Sequence, residues 1–247
     1  MAKNERVLKA GPVRIRITTS TDDPPKERLT RERIVDAALT LMAEQGYEAV
    51  SMRTVARALD TGPASLYAHV ANKEELDQLV IDELARGVEI PEPDPERWTE
   101  QIKELGRAIL HAYRMHPGSA RAGMGIIPTG EGTGGFAEGV MAICLAGGIS
   151  PQAAAWFVDL FAAYTSVIAY EESLWLQRSG GTPSDLEAHH AELDEGLAEF
   201  FGSLPADRFP SLVRYAVELT KGDGDDRFEF GMDVLVAGLA AVSHRYA

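Results

Sequence analysis

Helical periodicity begins abruptly at Thr30. Ile34, Ala37, Ala38, Leu41 and Met42 recur at alternating intervals of three and one, with Thr30 placed as an N-cap and Gly46 as a stop. The pattern predicts an amphipathic helix of about four turns. Ser51 then caps a shorter helix whose Met52, Val55, Ala56 and Leu59 share one face, leaving Arg53, Thr54 and Arg57 outside. Asp60-Thr61-Gly62 interrupts it, and Pro63 opens a third helix, reaching about Val70, with Gly62 as its N-cap. Only Leu66 and Val70 of that helix are obvious core residues. A fourth helix follows, opened by Lys73 and running from about Glu74 to Gly87.

Beyond Pro91, Pro93 and Pro95 the apolar residues Ile102, Leu105, Ile109 and Ala112 again fall at helical spacing, in a helix starting at Trp98. Residues 117–135 hold seven glycines, a density that predicts a mobile loop, a flap over a pocket, rather than a helix. From Pro151 to Gln177 the chain is rich in aromatics (Trp156, Phe157, Phe161, Tyr164, Tyr170, Trp175) with alanines between them. A helix apolar nearly all round is buried on more than one side. One side is expected to close a pocket and the other to pair with a second subunit, together with a last helix from Arg227 to about His244. That helix carries Gly231, Ala237, Gly238 and Ala241, small residues that let helices approach. Ordinary core packing is the competing account of the aromatics. The acidic stretch from Asp185 to Glu199 reads as a solvated helix. The fold class is all-α, and no strand is expected apart from the alternation Val13-Arg14-Ile15-Arg16-Ile17, which alone buries nothing.

Composition narrows the function. The 247 residues are 45% apolar, enough for a large core, which excludes disorder throughout. A single cysteine, Cys144, excludes a disulfide framework and a multi-thiolate metal site. No run of about 18 consecutive apolar residues and no signal peptide is visible, so a cytoplasmic protein without a membrane span is expected. The net charge of −14 argues against nucleic acid only as a total. Residues 1–80 hold 12 basic and 12 acidic side chains, and residues 81–247 hold all the excess acid. The first 35 residues carry nine basic groups against five acidic ones.

Two short helices joined by a three-residue turn after a longer helix make a helix-turn-helix layout. Leu66-Tyr67-Ala68-His69-Val70 and Asn72-Lys73-Glu74-Glu75-Leu76, with Ala37-Ala38, Leu41, Gly46-Tyr47, Ser51, Val55-Ala56 and Leu59, give it a specific likeness. Residues 29–84 closely resemble the DNA-binding head of the TetR family of transcriptional regulators. Trp98 through Tyr113-Arg114, Gly148-Ile149-Ser150, Phe209-Pro210-Ser211-Leu212 to Glu218-Leu219, and the run Phe228 to Leu239 resemble the C-terminal domain of the tetracycline-repressor subgroup. The resemblance implies a three-helix head at 29–76 and a helical ligand-binding and dimerisation body at 77–247, preceded by a flexible basic arm at 1–28. Family members usually have Gly at Asp60, an aliphatic at Thr61 and a larger aromatic at Val70. Asp tolerates the left-handed conformation, so the turn is expected to survive.

A helix with no bulky aliphatics outside can approach base edges in a major groove. On it, Ser65 can bond a base or phosphate, and Ala64 next to Pro63 can touch a thymine methyl. Tyr67 and His69 suit phosphate positioning. Ser51 and Thr54 can donate hydroxyls to phosphate, Arg53 can reach a guanine, and Lys73 resembles the family's phosphate-binding lysine. The competing reading has Tyr67 covering the head's core, His69 as a solvated helix-end cation, and Arg53 and Arg57 as surface charges. Arg14 and Arg16 are the arm's candidates for an AT-rich minor groove, against an idle tail.

For the small-molecule effector the candidates are His111, Met115, His116, Met124, Ile127, Trp156, Phe157, Leu160, Tyr164 and Trp175. The glycine-rich stretch does not align with the ligand positions of tetracycline-binding members, so a bulky, largely apolar or antibiotic-like molecule is expected instead. Gly130-Glu131-Gly132-Thr133-Gly134-Gly135 satisfies a dinucleotide motif by letter but follows no strand and lacks the surrounding fold. His189-His190 with Asp194 lacks further metal ligands. No cofactor, no metal and no enzymatic activity are expected. The partners are double-stranded operator DNA, a small-molecule effector and a second copy of the chain. The expected function is a ligand-responsive repressor released from a palindromic operator. The alternatives are a helical partner-binding module or a small helical enzyme built on His111 and His116.

Overall fold

The structure is a computed structural model and describes residues 28–124, 129–179 and 196–247. The expected basic arm, with Arg14 and Arg16, lies outside them, as do Ile127 and the His189-His190 pair with Asp194. Among the described residues the secondary structure is helical, without a strand.

In the head, α1 (Arg31–Gln45) begins where Thr30 Oγ1 accepts the Arg33 N–H at 3.3 Å and ends at Gly46, φ 78°, whose N–H donates to the Met42 carbonyl. A 3-10 turn, Tyr47–Ala49, leads to α2 (Met52–Ala58), and α3 covers Pro63–Tyr67. Ile34 and Met42 of α1, Val55 of α2, Leu66 of α3 and Leu76 beyond them are fully buried and form one core. Asp60 takes φ 48°, the left-handed conformation in which Gly is usual, and the following Thr61 N–H donates to the Ala56 carbonyl at 2.9 Å. The turn is therefore kept. α3 is shorter than its expected reach to Val70, because Val70 must turn inward to be buried while Asn72 caps the next helix, accepting the Glu75 N–H at 2.8 Å.

α4 (Lys73–Arg86) belongs to both halves, burying Leu76 and Val80 on the head side and Leu84 and Ala85 further along. The body continues with α5 (Trp98–Met115), α6 (Ser119–Gly123), α7 (Glu131–Ala146), α8 (Pro151–Ser179), α9 (196–202), α10 (Pro210–Arg214), α11 (Ala216–Thr220) and α12 (Gly224–Val242). A 3-10 turn, Ser243–Tyr246, ends it. α12 is tied along α5 by Lys103 to Asp233 and a two-bonded Arg107–Glu229 pair. Arg114 bonds the buried Glu172 of α8 through two nitrogens and Asp225 of α12 through one of them.

The glycine-rich stretch corrects the expected flap: Ser119–Gly123 and Glu131–Ala146 are helices. Two of the glycines are there for contact with α4. A Cβ on Gly130 would lie 1.9 Å from Asp82 Oδ1, and one on Gly132 would lie 2.0 Å from the Asp82 carbonyl oxygen. Gly130 has no side chain to cap α7, and Asp82 does so from the neighbouring helix, accepting the Thr133 N–H at 2.9 Å while pairing with Arg86 at 2.7 Å. Burial works against the Asp82 charge, but the Thr133 and Arg86 bonds outweigh it and hold the carboxyl below its usual range. A lowered carboxyl value contributes stability above the unfolded value near 3.9 and loses it as pH falls through the folded value. Asp82→Asn is thus expected to cost about 1–2 kcal/mol at pH 7, by analogy with lost helix caps. The gap should close toward pH 3. Urea melts at both pH values check this, and an equal loss at both would remove the charge from the account.

α8 has two faces. Phe157, Phe161, Thr165, Ala169, Glu172 and Leu176 point inward, whereas Trp156, Leu160 and Val167 are exposed. By length and mean hydropathy the span Pro151–Arg178 meets the minimum for crossing a membrane, which counting consecutive apolar residues did not reveal. Its inward face is committed to this fold. Gly231 of α12 also corrects an expectation: a Cβ there would lie 1.9 Å from Tyr164 Oη, so this glycine serves packing of α12 on α8 within the chain.

Candidate nucleic-acid interface and effector site

The third helix presents its outer side as the sequence suggested. Leu66 anchors it from within, and Pro63, Ala64, Ser65 and Tyr67 are all exposed. Tyr67 is 54% exposed, which sets aside the reading that its ring covers the head's core. Arg53 and Arg57 stand exposed on α2 nearby in sequence. His69 is half-buried, and its carbonyl accepts a 2.8 Å bond from Arg31 Nε. Arg31 also pairs with Glu75, so this arginine fastens α1 to the α3–α4 joint.

Three expected DNA contacts already have partners within the head. Ser51 Oγ accepts the Thr54 N–H, and Thr54 Oγ1 accepts the Ser51 N–H at 2.8 Å while lying 2.7 Å from the Ala49 carbonyl, to which it donates. The Thr54 hydroxyl is thereby spent on capping α2, and the Ser51 hydroxyl, 3.0 Å from Thr54 Oγ1, reaches a phosphate only by turning its proton away from that oxygen. Lys73 is half-buried, its ammonium paired with Asp77 and 4.1 Å from the centre of the Tyr47 ring. It meets a phosphate only by sharing or leaving that pair.

The expected effector residues are less well grouped. Trp156 and Leu160 face outward on α8, Trp156 with its ring edge-on to Tyr246. Phe157 is core, tilted against Phe161. Tyr164 stacks on Phe228 and donates to the Phe228 carbonyl at 3.1 Å. His116 is drawn to the head, with Nδ1 3.3 Å from the Leu39 carbonyl oxygen. These five therefore do not line one enclosed cavity. The reason is helical geometry: adjacent positions such as 156 and 157 point about 100° apart, which a list of aromatics does not show. His111, Met115 and Met124 are exposed, and Trp175 is half-buried. The structure does show a half-open cleft of about 320 Å³ between head and body, lined by Met42, Tyr47, Arg121, Leu174 and Gln177 among others. None of the expected effector residues lines it. Among the described residues no group of three or more metal-ligating side chains occurs.

Comparison with known proteins decides the family. The description "Bacterial regulatory proteins, tetR family" matches residues 34–78, and "Tetracyclin repressor-like, C-terminal domain" matches residues 90–243. The chain belongs to the TetR family. Among related solved structures, ActR of Streptomyces coelicolor in complex with actinorhodin is 37% identical with a TM-score of 0.77, covering 90% of this chain and 100% of that one. The HTH-type transcriptional repressor DrrR1 of Streptomyces coeruleorubidus is 29% identical over 226 residues, covering 87% of this chain and 78% of its own. The tetracycline repressor protein class D of Escherichia coli is 25% identical over 214 residues, covering 85% and 89%. This TetR-family regulator thus combines a helix-turn-helix head with a tetracyclin repressor-like body.

Sequence reasoning missed Tyr47, Asp77, Asp82 and Arg121, which join the head to the body. Only the glycines hinted at one of them: Gly130 and Gly132 are the space Asp82 needs, and they read as flexibility without the neighbouring helix.

Proposed function

We propose that this TetR-family regulator is a dimeric repressor whose two α3 helices read a palindromic operator and whose body releases the DNA when it binds a small, largely apolar or antibiotic-like molecule. One observation carries the reading most: α3 is held from below by fully buried Leu66 and leaves Pro63, Ala64, Ser65 and Tyr67 bare, in a chain whose remainder matches a repressor-type body. Two such helices about 34–36 Å apart meet successive major-groove faces. The acid excess beyond residue 80 repels DNA from the body and favours the head as the side that docks. For the effector, the relative ActR, whose solved complexes hold actinorhodin and (S)-DNPA, supports a small organic molecule. Of the expected effector residues, His111, Met115, Met124 and Trp175 keep accessible surface on α5, beside α6 and on α8.

In vitro selection from a random duplex library, followed by gel shift, tests the DNA half. The wild type should retain a twofold-symmetric sequence over a scrambled one. Arg53→Ala should lose about 1–3 kcal/mol, roughly 10- to 100-fold, if it reads a guanine, and Tyr67→Ala should weaken binding with little change in sequence preference. Failure to enrich any sequence at low salt would sink the repressor reading. A rise in Tm across an antibiotic and metabolite panel, with loss of the shifted band for the same compound, tests the effector half.

A further inference from the structure

Tyr47 stands between the head and the body with two cations near its ring. Lys73 Nζ is 4.1 Å and the Arg121 guanidinium carbon 5.5 Å from the ring centre. The phenol donates to Asp77 Oδ2 at 2.9 Å, and Asp77 Oδ1 pairs with the Lys73 ammonium. Asp77 is only 6% exposed. Burial, with the Asp77 charge second, pushes the phenol up to about 12, so it stays a donor across the physiological range. From the body, Arg121 of α6 pairs with Glu48, the residue after Tyr47. Gly118, at φ 85°, packs so closely that a Cβ on it would lie 2.7 Å from Tyr47 Cβ.

A lysine bound this way gives DNA little net charge. Lys73 with Asp77 sums to zero, and a neutral pair releases no counterion from the phosphate backbone. Moving the ammonium to a phosphate strands a carboxylate that is almost wholly buried, which is costly. Leaving also forfeits the contact of the ammonium with the ring. We infer that Asp77 and Tyr47 are positioning residues that hold the Lys73 ammonium back from operator DNA, with α6 of the body packed against Tyr47 through Arg121 and Gly118. This rests on the DNA-binding reading above and adds to it: the strength of one phosphate contact is set at the joint between the two halves. The body reaches that lysine through Tyr47.

The test uses the full chain as wild type, Asp77→Asn, Lys73→Ala and the double variant, with two readouts. The first needs no DNA: labelling by an amine-reactive ester, read by mass spectrometry against exposed Lys221. Asp77→Asn should label Lys73 several-fold faster, and Tyr47→Phe, which keeps the ring but removes the donor, should fall between. The second is affinity for the duplex selected by the wild type. At 0.1 M salt Asp77→Asn should bind roughly fivefold tighter, and its log–log salt slope should steepen by about 0.9, one phosphate contact. Both changes should vanish in the Lys73→Ala background, which a general loss of negative charge or a merely structural role would not produce. Unchanged labelling overturns the inference, as does an affinity gain that survives without Lys73. If the wild type selects no duplex, the repressor reading falls while the labelling still decides the clamp.

Discussion

Val234→Glu is expected to turn the proposed dimer into monomers and remove operator binding with it. Two apolar stripes lie exposed on the single chain. On α8 they are Trp156, Leu160, Ala163 and Val167, and on α12 Phe230, Val234, Ala237 and Ala241, both spaced four, three, four and all exposed. Phe230 is 71% and Trp156 57% exposed, values that large rings rarely keep on a monomer's surface in such continuity. The spacing is that of helices packing along a seam, and a twofold axis brings four such helices together. Burying a valine contributes about 1.5–3 kcal/mol, and a carboxylate without a partner in the same place adds a penalty. Twofold symmetry counts the change twice, so roughly 4 kcal/mol or more is lost, about a thousandfold in the dimer Kd. Sedimentation velocity at micromolar concentration reads the state directly. Circular dichroism should show the helices intact, because Val234 makes no core. A variant that still sediments as a dimer and shifts DNA like the wild type would place the interface elsewhere.

The second large effect contrasts two glycines two residues apart. Gly132→Ala is expected to destabilise the protein by about 3 kcal/mol or more, whereas Gly134→Ala should stabilise it by about 0.5–1 kcal/mol. A methyl at 132 meets the Asp82 carbonyl oxygen at 2.0 Å and the Arg86 Cβ at 3.0 Å, and backbone is not a neighbour that can swing away. α7 would have to retreat from α4 by an ångström or more, opening the Asp82 cap on Thr133 as it went. A methyl at 134 meets nothing within 4 Å and gains only the better helix propensity of alanine. Denaturant melts of the two variants give opposite signs if the first turn of α7 is as close to α4 as described. Two stabilising substitutions would mean that the stretch is the open loop its composition suggested. Since α4 runs on from the head, Gly132→Ala should also weaken DNA binding, while Gly134→Ala should leave it alone.

Much of the head was legible because its signals are local. Thr30, Ser51 and Gly62-Pro63 mark helix starts by chemistry that acts within four residues, and each starts a helix in the structure. The exposed side of α3 followed from a simple count of which residues have no use in a core. Tyr67 showed where such counting stops: one aromatic on a short helix fits burial or display equally until the neighbouring surface is known. The body was legible in element type but not in how its residues group. Trp156 and Leu160 and their neighbour Phe157 are alike in composition, yet they belong to opposite faces of α8, and only packing against α5, α6 and α7 chooses which face is inside. The glycine-rich stretch failed for the same reason in reverse. Glycine raises the entropy of a chain in isolation, but beside α4 it is the only residue that leaves room for Asp82.

By itself, then, the sequence determined the family, the helical class, the caps of the head and the exposed side of α3, because periodicity, capping and turn chemistry are short-range and each residue's choice is made by its neighbours in the chain. The tertiary structure alone decided which hydroxyls of the head are already used, where the aromatics of α8 point, that Asp82 caps a helix begun 48 residues later at Gly130, and that Lys73 is held by Asp77 and Tyr47 under the hand of Arg121. Those are contacts between residues far apart in the chain, whose energies depend on approach distances of a few tenths of an ångström, and no pattern along the sequence records them.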